Sequence, residues 1–363
     1  MNKRDERYYL ASQWRLMSRK FRKHKLALIG GSVLAIFYFL AIFADFFAPY
    51  DIYRRHKTFL YCPPTSIHFF DEKGISHPFV YGIDYQFDEK TFRRIYTEDK
   101  TKKYPIHFFV HGDKYRFWNL FKTDIHLLGV EEPGVLFLFG TDNIGRDLLS
   151  RNIYASRISL SIGLLGVALS FILGAILGGI SGYYGGKVDM VIQRVIEFLL
   201  SIPTIPLWMA LAAAFPREWS AIKVYFFITI ILALRGWCGL ARIIRGKLLE
   251  LRETDFVIAA KIAGATDAVI ISRHLLPSFI SYLIVHLTLS IPMMILGETA
   301  LSYLGLGLRP PAVSWGVLLK DAQNAETIAM FPWLLIPALF VIISILSFNA
   351  LGDGLRDAAD PYK

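Results

Sequence analysis

The sequence predicts an all-α polytopic membrane protein with six spanning helices and a partly β extracytoplasmic insertion. Three observations predict it. Charged residues make up 19% of the 363 residues, against about 25% in ordinary soluble domains, and the mean hydropathy is +0.41. The shortfall is concentrated in long runs with little charge, each close to the roughly 20 apolar residues that a helix needs to cross a bilayer. The net charge of +10 comes from basic residues that cluster beside those runs, which fits an anionic membrane face better than nucleic acid. No RNP, zinc-finger or helix-turn-helix signature supports the latter.

The first element is a basic tail. Lys3, Arg4, Arg7, Arg15, Arg19, Lys20, Arg22, Lys23 and Lys25 oppose only Asp5 and Glu6. The uncharged run from Leu26 to Ala44 exceeds the roughly 7–15 residues of a signal-peptide core, and no A-x-A site follows it. It is therefore an uncleaved first span with its basic flank in the cytoplasm. Residues 51–140 change character, being charged and rich in aromatics. Phe79–Phe87 and Ile106–Trp118 have extended character, with His111-Gly112-Asp113-Lys114 expected as a turn between Ile106–Val110 and Tyr115–Trp118.

The second run, Ile158–Ile180, carries Gly163, Gly166, Ser170, Gly174 and Gly178. Small residues four apart let helix backbones approach closely in a membrane. An amphipathic stretch from Val188 leads into the third run, Phe198–Phe215, where Pro203 and Pro206 predict a kink. The fourth span starts near Val224, is interrupted by Arg235 and runs towards Arg242. The fifth is expected from about Leu275 to Leu296 and the sixth from about Phe331 to Leu351, with Arg309-Pro310-Pro311 between them.

An even number of spans puts both termini on one side. The tail, Lys187, and Arg242, Arg245, Lys247, Arg252, Lys261 and Arg273 share one face; Arg217, Lys223, Arg309 and Lys320 occupy the other. The positive-inside rule then places both termini in the cytoplasm. The chain divides into a tail and first span (1–50), an extracytoplasmic insertion (51–140), and a five-helix core (141–363) with a cytoplasmic loop at 243–277. Six spans are few for a complete transport path, so a partner is expected to help enclose one. Cys62 and Cys238 are expected as two unpaired thiols.

Ionisable residues at membrane depth are costly unless they line a cavity or find partners. Glu298 and Arg235 are candidates for a solute path or gate, against the alternative of structural pairing or snorkelling. Glu197 lies one turn from Arg194 and reads as a pair at the cytoplasmic edge. His286 is expected to be a packing residue; with no His or Cys beside it in its span, a metal site is not expected.

The most informative stretch is Asp255–Pro277. Ala259, Ala260, Ala263 and Ala265 favour a helix. Asp255 stands near its start, where a carboxylate is stabilised, and Gly264 ends it or allows a tight turn. A second helix then feeds the fifth span at Pro277. A compact helix of small residues can fit a groove on another protein, although an ordinary connector would show the same pattern.

This stretch resembles the loop of binding-protein-dependent ABC transporter permeases, written E-A-A, three residues, G, nine residues, I-x-L-P. Ala259-Ala260, Gly264 and Leu276-Pro277 stand at that spacing, while Ile258 replaces the Glu and His274 the Ile. Three further segments are similar to the oligopeptide/dipeptide/nickel branch: Gly140-Thr141-Asp142 with Gly145-Arg146-Asp147 and Ser150-Arg151; Glu298 with Leu301-Ser302-Tyr303-Leu304-Gly305-Leu306-Gly307, Pro310-Pro311 and Ser314-Trp315-Gly316; and Asn349 with Gly352-Asp353-Gly354-Leu355-Arg356-Asp357 and Asp360-Pro361. The tail and first span also resemble the branch's leader segment.

The resemblance implies a type I ABC importer permease fold and the second, "C"-type, permease subunit. It implies no enzymatic activity and no cofactor in this chain. ATP and Mg would be bound by two partner ATPase subunits docking on Asp255, Ala259, Ala260, Gly264, His274, Leu276 and Pro277. A homologous permease would complete the path, and an extracytoplasmic binding protein would deliver a peptide, or else nickel or an oligosaccharide, across a bacterial inner membrane. The chain carries no G-x-x-x-x-G-K-[ST] loop, Gly185-Gly186-Lys187 being only superficially similar. An ion-coupled secondary transporter would need repeated halves and a relay of buried acids, and an intramembrane enzyme a nucleophile or metal motif such as G-x-S-x-G or H-E-x-x-H. The sequence presents neither.

Overall fold

A computed structural model describes residues 13–71, 74–89, 92–216 and 218–359. Lys3, Arg4, Asp5, Glu6, Arg7, Arg217, Asp360 and Pro361 lie outside them. A run without charge has no partner for its backbone in a bilayer except itself, and the first such run forms a helix. After α1 (Gln13–Phe21) comes α2 (Lys25–Ile42) and one turn of α3 (Ala44–Phe47). The 18 residues of α2 span about 27 Å, close to the roughly 30 Å hydrocarbon core.

Four antiparallel strands follow in the order β1 (His68–Asp71), β2 (Gly74–Phe87), β3 (Arg94–Phe117) and β4 (Phe121–Val130). Then come α4 (Leu148–Tyr184), α5 (Gly186–Ser201), α6 (Thr204–Ala213), α7 (Ala221–Leu251), α8 (Asp255–Ile262), α9 (Asp267–Val269), α10 (Ile280–Tyr303), α11 (Trp315–Leu319), α12 (Ala325–Met330) and α13 (Ile336–Ala359). Among the described residues, five helical segments are long and apolar enough to cross a membrane: α2, α4, α7, α10 and Pro332–Ala359. The pair α5 and α6 makes a sixth if counted as one broken span.

That pair corrects the third expected span. Phe198–Phe215 is not one kinked helix, because α5 and α6 meet at 86°. Ile202 is extended, with φ −85° and ψ 128°. The ring of Pro203 pushes the preceding residue out of the helical region, so the helix stops and restarts. The fourth and sixth spans run on past the apolar runs that announce them, while the fifth starts at Ile280 rather than near Leu275, after the irregular segment at Pro277, and runs on to Tyr303.

Two compact units are present. One comprises Met1–Ala35, Leu160–Leu301 and Ile342–Lys363; the other, Ile36–Ser159 and Ser302–Val341. In the first, the small-residue stripe of α4 is a packing face. A Cβ on Gly178 would lie 2.6 Å from the Ala241 carbonyl oxygen, one on Gly174 3.0 Å from Leu240, and one on Gly182 2.8 Å from the Arg245 carbonyl oxygen. The spacing of four therefore brings the backbone of α4 against α7, while Gly163 meets Ile291 and Gly166 meets Met294 on α10. Asp189 of α5 accepts from Arg245 of α7 at both carboxylate oxygens, each at 2.5 Å. Pro292 lies inside α10, where a missing backbone donor is tolerated if neighbours pack around it.

In the second unit, β3 pairs with β2 through its first half and with β4 through its second. The expected turn at His111–Lys114 is absent. Those residues form an irregularity in the β3–β4 ladder, and Gly112 closes against the ring of His126. The chain reverses later, at Trp118 and Asn119, which take φ of 46° and 59°. Asn tolerates that left-handed conformation at low cost.

The segment after β4 is a knot of polar contacts. Asp142 accepts from the Ile144 and Arg146 backbone N–H groups and from the side chains of Arg146 and Arg151. The Ser150 N–H donates to Asp147 at 2.7 Å at the start of α4, and burial pushes the Asp147 carboxyl up to about 6. Trp315 is fully buried and donates to the Asn152 carbonyl oxygen at 3.3 Å. Cys62 and Cys238 are both buried free thiols.

The helix packing makes a prediction. Gly178→Ala should lower stability by about 1–3 kcal/mol, because the backbone of α7 leaves no room for a methyl group. Gly239→Ala meets nothing within 4 Å and should be neutral or mildly stabilising. Thermal midpoints of the two variants in the same detergent check the contrast; equal midpoints would remove the close-approach account.

Candidate functional site

The loop after α7 is built from its residues as follows. Thr254 takes an extended conformation before α8 and donates its hydroxyl to the Leu251 carbonyl. Asp255 occupies the first turn of α8 and Lys261 the last, each favoured there by the helix dipole. The Gly264 N–H then donates to the Lys261 carbonyl at 2.9 Å and the Ala265 N–H to the Ala260 carbonyl at 3.0 Å. This pair of bonds is a Schellman closure, which needs a left-handed residue after the helix. Gly264 supplies it with φ +81°. A Cβ there would meet nothing within 4 Å, so backbone strain rather than a clash fixes the residue.

One side chain of α8 points inward. Val257 is fully buried in a cluster with Leu240, Ile244 and Leu248 of α7, Ile270, Leu275 and Phe279 of the following segment, and Leu283 of α10. Ala260 and Ala265 pack against the same cluster. The opposite face is open: Phe256 and Ile258 are exposed, Ile262 is 83% exposed, and Ala259, Ala263 and Val269 are exposed beside them. The loop is tied to the end of α4, since Tyr183 donates to Asp267 at 2.6 Å and the Lys261 ammonium stands 5.1 Å from the Tyr183 ring. The result is an apolar surface on a short helix held firmly to two long ones.

After α9 the backbone widens into a π-helix, Ile270–Leu275, before the turn Leu276–Ser278. The Leu276 N–H reaches back to the Ile271 carbonyl. The ring of Pro277 would crowd the carbonyl four residues earlier in a regular helix, and a wider turn relieves that. Arg273 is exposed here and His274 half-buried, while Leu276 is half-buried against the cluster and Pro277 exposed. The structure thus brings Asp255, Ala259, Ala260, Gly264, His274, Leu276 and Pro277 into one continuous loop.

The residues singled out at membrane depth lie apart from it. Arg235 of α7 donates to the Leu199 and Ile202 carbonyls at 3.2 and 2.5 Å, filling acceptors that the break between α5 and α6 leaves open. Glu298 of α10 is fully buried, beside Gly297, whose place is enclosed by Leu232 and Trp208. Arg194 and Glu197 form an exposed pair at 2.7 Å. His286 is half-buried and lines an open cleft of about 540 Å³ with Lys247, Tyr282 and Arg356. Val257, the Asp189–Arg245 pair and the π-helix carry no motif signal. Val257 alone was findable, as the apolar position opposite Ala259 and Ile262 on a short helix.

Residues 153–362 match the model of the family described as the inner membrane component of binding-protein-dependent transport systems. The chain belongs to this family. It is a membrane-spanning permease component, not an enzyme. Residues 12–64 match the N-terminal transmembrane domain of oligopeptide transport permease C. The permease is similar to the dipeptide transport system permease protein of Bacillus subtilis, 39% identical over 63% of this chain and 70% of that one. It is also similar to the oligopeptide transport system permease protein of Haemophilus influenzae, 43% identical over 61% of this chain and 70% of that one. A looser likeness links it to an inward-facing structure of the MetNI methionine ABC transporter, with a TM-score of 0.43, 18% identity, and coverage of 57% of this chain and 96% of that one.

The Arg235 contacts of the permease generate a prediction. Arg235→Met keeps the stem but leaves two partly buried carbonyls without this donor, a cost of about 1–3 kcal/mol for each group. Thermal unfolding should show a clearly lowered midpoint, with Arg235→Lys in between. An unchanged midpoint for Arg235→Met would mean that the break is held some other way.

Proposed function

We propose that this permease is the second, "C"-type, membrane subunit of an ATP-driven peptide importer in a bacterial inner membrane, and that α8 is where an ATPase subunit docks. The outward apolar face of α8 carries this reading. Phe256, Ile258 and Ile262 stand exposed on a helix whose other face is locked by Val257. Such a face needs a cover, and its neighbours Asp255 and Lys261 give the cover a polar rim.

In the proposed assembly a homologous permease completes the path, and two ATPase subunits bind ATP and Mg. An extracytoplasmic binding protein delivers the solute. Peptide is the solute because the curated relatives are named for peptides. Both termini and the loop 243–277 face the cytoplasm, the segment 51–140 faces outward, and 141–363 forms the core. Closure of the ATPases on ATP pushes α8. Because Val257, Ala260 and Ala265 share one packed cluster with α7 and α10, the push moves those helices as a body rather than bending the loop. Drive requires that α8 bind the two ATPase states with different affinity. Arg235 on α7 and Glu298 on α10 lie on the helices so moved, which makes them the candidates for a gate along the path.

The reading is tested with two variants in the intact transporter. A crosslinker on Ile262→Cys should capture a nucleotide-hydrolysing subunit in cells. Gly264→Val forces a β-branched residue into a left-handed conformation at about 1–2 kcal/mol. It should lose most uptake while ATP hydrolysis persists, and Gly264→Asn should retain uptake. Normal uptake by Gly264→Val, with no capture from Ile262→Cys, would remove α8 from the coupling pathway.

A further inference from the structure

The two family matches cover 12–64 and 153–362, and the sheet lies between them. Its β3–β4 hairpin ends in an apolar tip: Trp118, Leu120 and Phe121 are 56%, 79% and 57% exposed. Hairpin turns in water carry small polar residues, so three large apolar side chains here call for a cover.

The position of the tip says what the cover is. The Trp118 indole N–H donates to the carbonyl oxygen of Ile42 at 3.0 Å, and Ile42 is the last residue of the first spanning helix. A ladder of rings continues from that helix. Phe39, exposed within α2, lies 4.8 Å from Phe43; Phe43 stacks on Phe117 at 5.6 Å; and Phe117 meets Phe121 at 5.5 Å. The exposed apolar surface of α2 thus runs onto the hairpin through aromatic rings. Arg157 stands over the Trp118 ring at 5.0 Å and donates to the Ala41 and Ile42 carbonyls, which fixes the tip at the helix end.

A second, independent feature concerns charge. Arg116 and Lys122 are direct cross-strand partners, one position back from the pair Phe117 and Phe121. Two like charges directly opposite each other are unfavourable. Both are exposed, and neither makes an ion pair with an acidic side chain among the described residues. An anion between them converts the repulsion into binding. Moving back from the tip at about 3.3 Å per residue, the hairpin shows apolar side chains, then paired aromatics, then paired cations. A bilayer interface has the same order of layers: acyl boundary, aromatic belt, phosphates.

We propose that the β3–β4 hairpin is a membrane-interface anchor, with Trp118, Leu120 and Phe121 seated in the acyl–headgroup boundary beside the end of α2 and Arg116 and Lys122 on lipid phosphates. A protein groove would cover the apolar tip equally well but would not require it to sit at the depth where the first span ends. The proposal does not depend on the transport reading.

The test places a nitroxide on Leu120→Cys, and separately on Asn119→Cys, in a Cys62→Ala, Cys238→Ala background. The intact transporter is reconstituted into vesicles of phosphatidylcholine and phosphatidylglycerol in equal parts. Collisions with oxygen should exceed those with a water-soluble nickel chelate at both positions, the signature of lipid depth. Arg116→Glu with Lys122→Glu should shift both labels towards the chelate. Labels that collide mainly with the chelate place the tip in water and overturn the proposal. Labels shielded from both reagents mean a protein cover and overturn it equally. The Asn119 label keeps the test valid where Leu120→Cys itself disturbs the tip.

Discussion

Every backbone carbonyl held at membrane depth must find its donor inside the protein, and the helical half of this permease is arranged around that constraint. Unbroken helices meet it by themselves. The one sharp break among the described spans, between α5 and α6, does not, and there a cation enters: Arg235 supplies donors to the carbonyls of Leu199 and Ile202. A charge that composition marks as a liability is what satisfies the carbonyls at the break between α5 and α6. Arg157 acts similarly at the end of α2, where the carbonyls of Ala41 and Ile42 have run out of helix.

The same constraint explains the glycines of α4. In a bilayer, apolar side chains gain little by leaving lipid for one another, so association rests on close packing. Removing the side chains at Gly174, Gly178 and Gly182 brings the backbone of α4 within contact of Leu240, Ala241 and Arg245 on α7. The bidentate contact of Arg245 with Asp189 then ties α5 to the same helix. A helix gripped on several sides transmits displacement rather than absorbing it, because close-packed interiors have low compressibility. That property would let the proposed docking on α8 move α7 as a body.

Much of this was legible in the sequence because it is written in periods and breakers. Long uncharged runs, glycines four apart, the Ala-rich helix closed by Gly264 and the aromatic extended segment all express local rules, and each is present. What was illegible depends on partners distant in the chain. Nothing near Arg235 announces that its partners are carbonyls 33 and 36 positions earlier, and nothing near Val257 announces a cluster reaching to Leu283. The failures were local rules applied to the wrong instance. His111–Lys114 has the composition of a turn, but a ladder irregularity uses the same residues, and register with β4 moves the reversal to Trp118 and Asn119. Pro203 promises a kink, yet an extended residue before it ends the helix altogether.

The departure at Ile258 has a physical consequence for the proposed docking helix. A carboxylate at that position would give a partner a directional, charge-assisted contact worth about 1.5–3 kcal/mol. Ile258, about half exposed, offers instead part of the roughly 1.5–3 kcal/mol gained by burying an aliphatic side chain. The magnitudes are similar, but the apolar contact carries no orientation. Orientation must then come from shape and from what surrounds the patch: Asp255 at one end of α8, Lys261 at the other held beside the Tyr183 ring, and the rigid closure at Gly264. A partner that follows this surface needs a matching apolar groove with charges at its two ends, of opposite sign to those of the helix. The specificity of the contact therefore resides in the ends of α8, while its affinity resides in the middle.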